Sequence, residues 1–446
     1  MLLDFIELNN KNELYKSLYN GIKEAINKGI IKKGDKLPSV RAAATELGVS
    51  RTTVENAYTK LCLEGIALSE PQKGYYISPD YIPVTRPLSV HKKSQNVKYD
   101  FSSRKIDTEY ADVKNWKKIV RQQLINNDEL TSYGDAQGEL LLREALSEYS
   151  YKARGLSANA QRIVIGAGIG PLLNILLGIT GRKIRVGFEM SGFLKAESIF
   201  ADYGVETVIL ERDSNGATLK SIKENNIDVL FLTTSSLPKI SISGIAKRRN
   251  EYISWLNEKE SRFIIEDDYN GELRYTVRSL PAFQGKMPDR TVYIGSFSKL
   301  LLPSVRIAFM VLPDELLEIF NTRRKLINQT CGKIEQLALA EYIKSGNLEK
   351  HLRRLRRLYY QKSQILIEEL QNTFSDITVT LYESLLTVEV KFNNNKFCGN
   401  LYKKLALFGI RAMETEENNC LRLCFAGINA QEIKSAVKEI KEALSK

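Results

Sequence analysis

The chain has 446 residues, 43% hydrophobic and 26% charged, with 27 glycines and 11 prolines, a composition that excludes a fibre, a disordered chain or a disulfide scaffold and supplies material for two or more domains. A formal net charge of +12 permits an anionic partner such as nucleic acid. Five cysteines without C-x-x-C spacing read as reduced thiols, and two histidines leave metal clusters and Ser-His-Asp chemistry without their usual raw material. No apolar run is long enough to span a bilayer, and MLLDFIELNNKNELYK lacks the basic-then-apolar order of a signal peptide, so cytoplasm is the expected address.

The first element in chain order is a helix: Leu14, Leu18, Ile22, Ala25 and Ile26 recur at helical spacing until Lys28-Gly29. The cluster KKGDKLPS is a turn, and SVRAAATELG predicts a short helix begun by Ser39 and ended by Gly48. VSRTTVENAYTKLCLEG follows, with Ser50 as N-cap and Val54, Ala57, Tyr58 and Leu61 on one face. Two short helices joined by a tight turn are helix-turn-helix grammar, and IALSEPQKGYYIS adds two short strands around Pro71 to Gly74 as a wing.

In such a motif the second helix offers donors to DNA from its first turn, here Ser50, Arg51, Thr52 and Thr53, while Arg41 and the wing-tip Lys73 and Gly74 are placed for backbone or minor-groove contact. Through IKKGDKLPSVRAAATELGVSRTTVENAYTKLCLEG, residues 12–78 resemble the GntR family of winged helix-turn-helix regulators. The resemblance implies double-stranded operator DNA as partner, contacted by Arg41, Ser50, Arg51, Thr52, Thr53 and Gly74. Glu55 stands where some members carry a base-reading arginine, so operator preference does not transfer.

Residues 1–80 form the DNA-binding domain in this reading, and residues 81–98, with two prolines and no acid, a flexible linker. From Tyr99 to residue 446, helices such as QGELLLREALSEYSYKA alternate with the β-rich runs RIVIGA, KIRVGF, VETVIL, VLFLTT, RFIIEDD and TVYIGSF. That alternation predicts an α/β domain with a largely parallel sheet; TVTLYESLLTVEVKF, LYKKLALFGIRA and CLRLCFAG add a smaller α+β subdomain.

In YIGSFSKLLLPSVRIAFMVLP, a strand delivers Ser296, Ser298 and Lys299 into a loop, and Arg306 follows. A lysine so placed can form a Schiff base with pyridoxal phosphate, which also needs a carboxylate at its pyridine nitrogen and donors for its phosphate. RFIIEDD ends in Asp267-Asp268-Tyr269, offering the carboxylate and a hydroxyl for the ring's phenolate oxygen. VIGAGIGPLLNILLG reads as strand, glycine turn and helix, with Pro171 suited to the first helical position and amides at Gly168, Ile169 and Gly170 available to a phosphate. Phe193 is a candidate to lie over the pyridine face.

YGDAQGELLLREAL, IEDDYNGELRY and GSFSKLLLPSVRIAFMVLP resemble fold-type-I aminotransferases, and with the DNA module ahead of them the chain resembles the MocR/GabR-type transcriptional regulators over about residues 12–430. The implied architecture is an N-terminal winged helix-turn-helix plus an α/β fold-type-I PLP-dependent transferase domain with a small α+β C-terminal subdomain. The resemblance implies that Lys299 carries pyridoxal 5'-phosphate, Asp267 meets the pyridine nitrogen, Tyr269 the phenolate oxygen, and Arg306 with Ser296 the phosphate. It implies that Arg422 grips a ligand carboxylate, and that two copies pair head to tail as a homodimer. The chain departs from relatives in reading Thr234-Ser235-Ser236-Leu237 where a Pro-Ser-His-Gln run is usual, Phe193 for tyrosine, Ile169 for a hydroxyl residue, and Lys195 where some place a second carboxylate-binding arginine.

The expected function is transcriptional regulation by an amine, amino acid or pyridoxal phosphate sensed through an aldimine at Lys299, with weak or no transaminase turnover. An active aminotransferase with an appended DNA module, and a regulator that has lost the cofactor, stand as alternatives. HLRRLRRLYYQK, His351 to Lys362, reads as a basic helix with a solvated or dimer-packed face.

Overall fold

In the computed structural model of the chain, the apolar positions of the first segment become the buried face of the helix Leu14–Asn27. The structure describes residues 3, 14–81, 97–102, 105–107, 109–125, 128–189, 194–233, 242–268, 270–276, 280–393, 397, 399–415 and 417–446. Their contacts divide them into two units, Met1–Ser94 and Gln95–Lys446.

In the first unit Ser39 caps the helix Val40–Leu47 by accepting from the Ala42 amide at 3.2 Å, and Gly48 ends it in the left-handed conformation, φ 65°. Ser50 caps the next helix, Arg51–Leu63, accepting from the Thr53 amide at 3.1 Å. Leu18, Ile22, Ala43, Val54 and Tyr58 share one core, and the Tyr58 hydroxyl donates to the Pro38 carbonyl at 3.0 Å, fixing the second helix of the motif to the turn before the first. Strands Ala67–Glu70 and Gly74–Ile77 pair antiparallel, Glu70 opposite Gly74, to make the wing.

The second unit is built on a seven-stranded sheet in the order Ile163–Gly166, Ala308–Val311, Thr291–Ser296, Phe263–Asp268, Val229–Leu232, Arg185–Glu189, Glu206–Leu210. All of the β-rich runs read from the sequence are present. A further strand, Ala308–Val311, lies antiparallel to both neighbours and makes the sheet mixed. Its run AFMV is fully buried, so it shows no alternation to set it apart from the loop sequence before it.

Helix Ile169–Thr180 packs its Leu172, Leu173 and Leu176 on one face of the sheet. It starts at Ile169, which puts Pro171 third in the helix and not first. A three-stranded antiparallel sheet, Ile377–Tyr382, Thr387–Phe392 and Cys420–Cys424, is covered by the helices Asn347–Thr373 and Ile433–Ser445 and forms the smaller subdomain. Tyr99–Asp100 joins it by pairing in parallel with Ile410–Arg411. Among the described residues no helix is long and apolar enough to cross a membrane.

The basic segment is corrected in part. It lies in Asn347–Thr373, where His351 and Lys362 are fully buried while Arg353, Arg354 and Arg357 are exposed. Three helical turns separate His351 from Lys362, so both fall on the face that carries Leu352, Leu355 and Tyr359 inward.

Candidate cofactor site and DNA-facing turn

In the first unit, Arg41, Ser50, Arg51 and Thr52 are exposed and Thr53 is half-buried. Arg51 and Thr52 open the second helix of the motif, whose N-terminal amides and positive dipole end favour a phosphate. The Ser50 and Thr53 hydroxyls lie 2.8 Å apart and the Ser50 oxygen also caps the helix, so both side chains carry a structural role there. Lys73 sits in the wing turn 2.9 Å from Glu70, and Gly74 has φ 105°, a conformation that favours glycine.

In the second unit the strand register sets the site. Ser296 is paired with Ala308 and Ala308 with Gly166, while Asp268 is paired with Gly295, so Gly166, Ser296 and the Asp267-Asp268 pair reach the same level of the sheet. Each parallel strand ends there, and the carboxyl edge of an α/β sheet is where ligands bind.

Alternation along the strand sends the two aspartates to opposite faces. Asp268 is neutralised by Arg154, whose Nε lies 2.5 Å from Oδ2, and accepts from the Tyr293 hydroxyl at 2.9 Å. Asp267 is buried with no donor to it among the described residues; burial, and then the charge of Asp268, push its pKa up to about 7. It is the carboxylate with charge left to offer a cationic ring.

At Gly168 the chain turns into Ile169–Thr180 with φ 96°, and a Cβ there would stand 2.6 Å from an Nη of Arg306. Arg306 itself adopts φ 54°, a costly backbone for a non-glycine residue. The Gly168 amide donates to the Gly166 carbonyl at 2.8 Å, so the amides of Ile169 and Gly170, in the first helical turn, are the ones left for an anion. Ser296 and Ser298 lie together, with hydroxyls 3.3 Å apart. Guanidinium, hydroxyls and helix N-terminus make a dianion cradle that a side chain at 168 would fill.

Lys299 lies in the turn after Thr291–Ser296, nearly buried, and donates from Nζ to the Lys105 carbonyl at 3.0 Å. Burial lowers its pKa, which raises the fraction of neutral, nucleophilic amine. A buried amine, a carboxylate without a donor among the described residues and a dianion cradle fit a compound with an aldehyde, a basic ring nitrogen and a phosphate.

Arg422, on Cys420–Cys424, is half-exposed and pairs with Glu389 on the adjacent strand: Nε and Nη2 both donate to Oε2, at 2.8 and 2.5 Å. Sequence reading missed Glu389, because its partner is set by strand register and not by spacing. It also missed Lys362, whose ammonium is fully buried against Asp107. Tyr269, Phe193 and the Thr234–Leu237 run lie outside the described residues, as do the Lys195 side chain and most of the linker, residues 82–96.

These features define a DNA-binding module joined to a domain of the aminotransferase fold. Residues 14–77 match the model of bacterial regulatory proteins of the gntR family, and residues 98–440 match aminotransferase class I and II. The chain is 33% identical to the HTH-type transcriptional regulator YdeL of Bacillus subtilis over 96% of both chains. It is 31% identical to the pyridoxine biosynthesis transcriptional regulator PdxR of Corynebacterium glutamicum, over 80% of this chain and 78% of that one, and 26% identical to the probable rhizopine catabolism regulatory protein MocR of Rhizobium meliloti, over 79% and 76%. Among solved structures, an archaeal alanine:glyoxylate aminotransferase superposes with a TM-score of 0.69 at 19% identity, covering 79% of this chain and 92% of that one, which speaks to fold alone. The protein belongs to the MocR/GabR-type transcriptional regulators, a GntR-family helix-turn-helix domain fused to a class I/II aminotransferase domain.

Proposed function

We propose that the protein is a cytoplasmic regulator that binds operator DNA through Arg41, Arg51, Thr52 and the wing, and senses a primary amine, or pyridoxal phosphate itself, at Lys299. The observation that carries this reading is the buried Lys299 amine at the carboxyl edge of a sheet that also presents Asp267 and the Gly168–Arg306 cradle. The relative named for regulation of pyridoxine biosynthesis supports it.

Lys299 would hold pyridoxal phosphate covalently, with Arg306, Ser296, Ser298 and the Ile169 and Gly170 amides at the phosphate and Asp267 at the ring nitrogen. When bound, the cofactor supplies an electrophilic aldehyde on an electron-poor ring. Asp267, which has no cation beside it among the described residues, would hold a proton at that ring nitrogen. A ligand amine would compete with Lys299 for that aldehyde, and the Lys105 carbonyl would accept from the Lys299 amine whenever it is free. The two states alter DNA affinity to the extent that they hold the protein differently. The effector domain pairs with a second copy; exposed Leu124, Ile125, Leu140 and Leu141, on two helices that both pack on Lys333–Lys344, support a surface that is covered in the assembly.

Absorbance titration of the purified, cofactor-loaded protein with a panel of primary amines, run beside binding assays on its own upstream DNA, tests the reading. A spectral change that moves with DNA affinity is expected. Steady turnover of an amino acid with a keto acid at about 1 per second or faster, without any effect on DNA, would replace it with an enzyme.

A further inference from the structure

We infer that Glu389 holds Arg422 in a neutral pair and thereby sets the site at Lys299 to prefer primary amines without a carboxylate over amino acids. This deepens, and rests on, the reading of Lys299 as the amine that captures the ligand.

Thr387 is paired with Cys424, and Glu389 with Arg422, across the two strands Thr387–Phe392 and Cys420–Cys424. Val388, Val390, Leu421 and Leu423 point into the hydrophobic core, and alternation puts Thr387, Glu389, Arg422 and Cys424 on the opposite face, where Thr387 and Cys424 are fully buried and Glu389 and Arg422 are half-buried. One end of that face lies beside the segment that meets the Lys299 amine: the Cys424 amide donates to the Phe101 carbonyl at 2.8 Å, and four residues on the Lys105 carbonyl accepts from Lys299 at 3.0 Å. Arg422 stands two residues from Cys424 along the strand and is the residue that the resemblance assigns to a ligand carboxylate.

That guanidinium is engaged. Two of its N–H groups converge on a single Glu389 oxygen, and the other oxygen accepts from the Tyr382 hydroxyl at 3.4 Å. The Arg422 side chain keeps 37% of its exposure and that of Glu389 19%, so the glutamate is the deeper of the two. A ligand carboxylate has two routes to Arg422. It can displace Glu389, leaving a mostly buried carboxylate without its cation, or it can bind beside Glu389 against that negative charge. Both routes penalise the carboxylate, and a ligand that ends in an alkyl or hydroxyl group meets neither. The ladder holds the two residues opposite each other, so the pairing of Glu389 with Arg422 is set by strand register.

The test uses pairs of ligands with one carbon skeleton: 4-aminobutyrate against propylamine, and L-alanine against ethylamine. Each is titrated by absorbance into the full-length, pyridoxal phosphate-loaded protein, and each ratio of half-saturation values is divided by that for free pyridoxal phosphate in solution. In the parent protein the corrected ratio is expected to favour the amines by about threefold or more. Glu389→Gln, which keeps shape and removes charge, should strengthen amino-acid binding about tenfold or more while changing amine binding less than about twofold. Adding Arg422→Gln to it should return the ratio towards the parent value, which a merely structural role for the pair would not do. A parent protein whose corrected ratio does not favour the amines, or a Glu389→Gln ratio that does not move, overturns the restraint while leaving Lys299 in place. Failure of the loaded protein to form any Lys299-dependent band overturns the underlying reading and this inference with it.

Discussion

The ε-amine of Lys299 donates to the main-chain carbonyl of Lys105 at 3.0 Å. Lys105 lies in the segment by which the chain enters its second unit: Tyr99–Asp100 pairs with Ile410–Arg411, Cys424 donates its amide to the Phe101 carbonyl at 2.8 Å, and Asp107 is locked to Lys362. Gly427 permits the approach, since a Cβ there would stand 2.9 Å from that of Lys105. The lysine proposed to hold the cofactor is thus one hydrogen bond from the backbone that leads back to the DNA-binding module.

The Lys362–Asp107 pair anchors that segment, and both side chains are buried. Lys362→Met leaves Asp107 buried without its cation and is predicted to cost about 3–5 kcal/mol, read as a fall in denaturant midpoint. The double variant Lys362→Met with Asp107→Asn should recover most of the loss, because it leaves no unpaired charge.

Asp267 makes stability and cofactor affinity oppose each other. Its folded pKa of about 7 lies above its ordinary value of 3.8, so the folded state holds the proton more tightly. Stability is therefore lost as pH rises from about 4 to about 7, and the full penalty remains above that range. Cofactor-free Asp267→Asn should be more stable than the cofactor-free parent at about pH 8, by on the order of a few kcal/mol, with the two converging as pH falls towards about 4. The same variant should bind pyridoxal phosphate at least about tenfold more weakly. Thermal melts across pH, with and without cofactor, check both halves.

Gly168→Ala places a methyl group against the Arg306 guanidinium in a backbone conformation that alanine resists. A stability loss of about 1 kcal/mol is expected, with a larger loss in affinity for pyridoxal phosphate. Inorganic phosphate competition should weaken in parallel, since the change acts on the dianion cradle and not on the amine.

In the first unit, Arg51 is exposed at the start of its helix whereas Ser50 caps it. Arg51→Ala should lower operator affinity by about 1–3 kcal/mol without moving the melting temperature, and reduce the salt dependence if its contact is to phosphate. Ser50→Ala should cost about 1 kcal/mol of stability through the lost cap, whatever its effect on DNA.

Local signals carried much of this molecule in sequence. Ser39, Gly48 and Ser50 mark helix ends through chemistry confined to a few neighbouring residues, and they stand where that chemistry puts them. The β-rich runs are legible for the same reason, since strands on a parallel sheet are short, apolar and bounded by turns. What was not legible depends on register and burial. Asp267 and Asp268 are equivalent in sequence and differ in the fold because Arg154, from a distant helix, neutralises one of them. Arg422 reads as a free cation until the strand Thr387–Phe392 brings Glu389 opposite it. Lys362 looks solvated in a run of arginines and is buried because of its place on the helix.

The central claim, that Lys299 is the covalent anchor, is tested most directly by borohydride reduction of the pyridoxal phosphate-loaded protein followed by peptide mass analysis. The account predicts a single reduced adduct on Lys299, absent from Lys299→Ala, which should retain its affinity for DNA. An adduct on Lys362, on another lysine, or on none would contradict it.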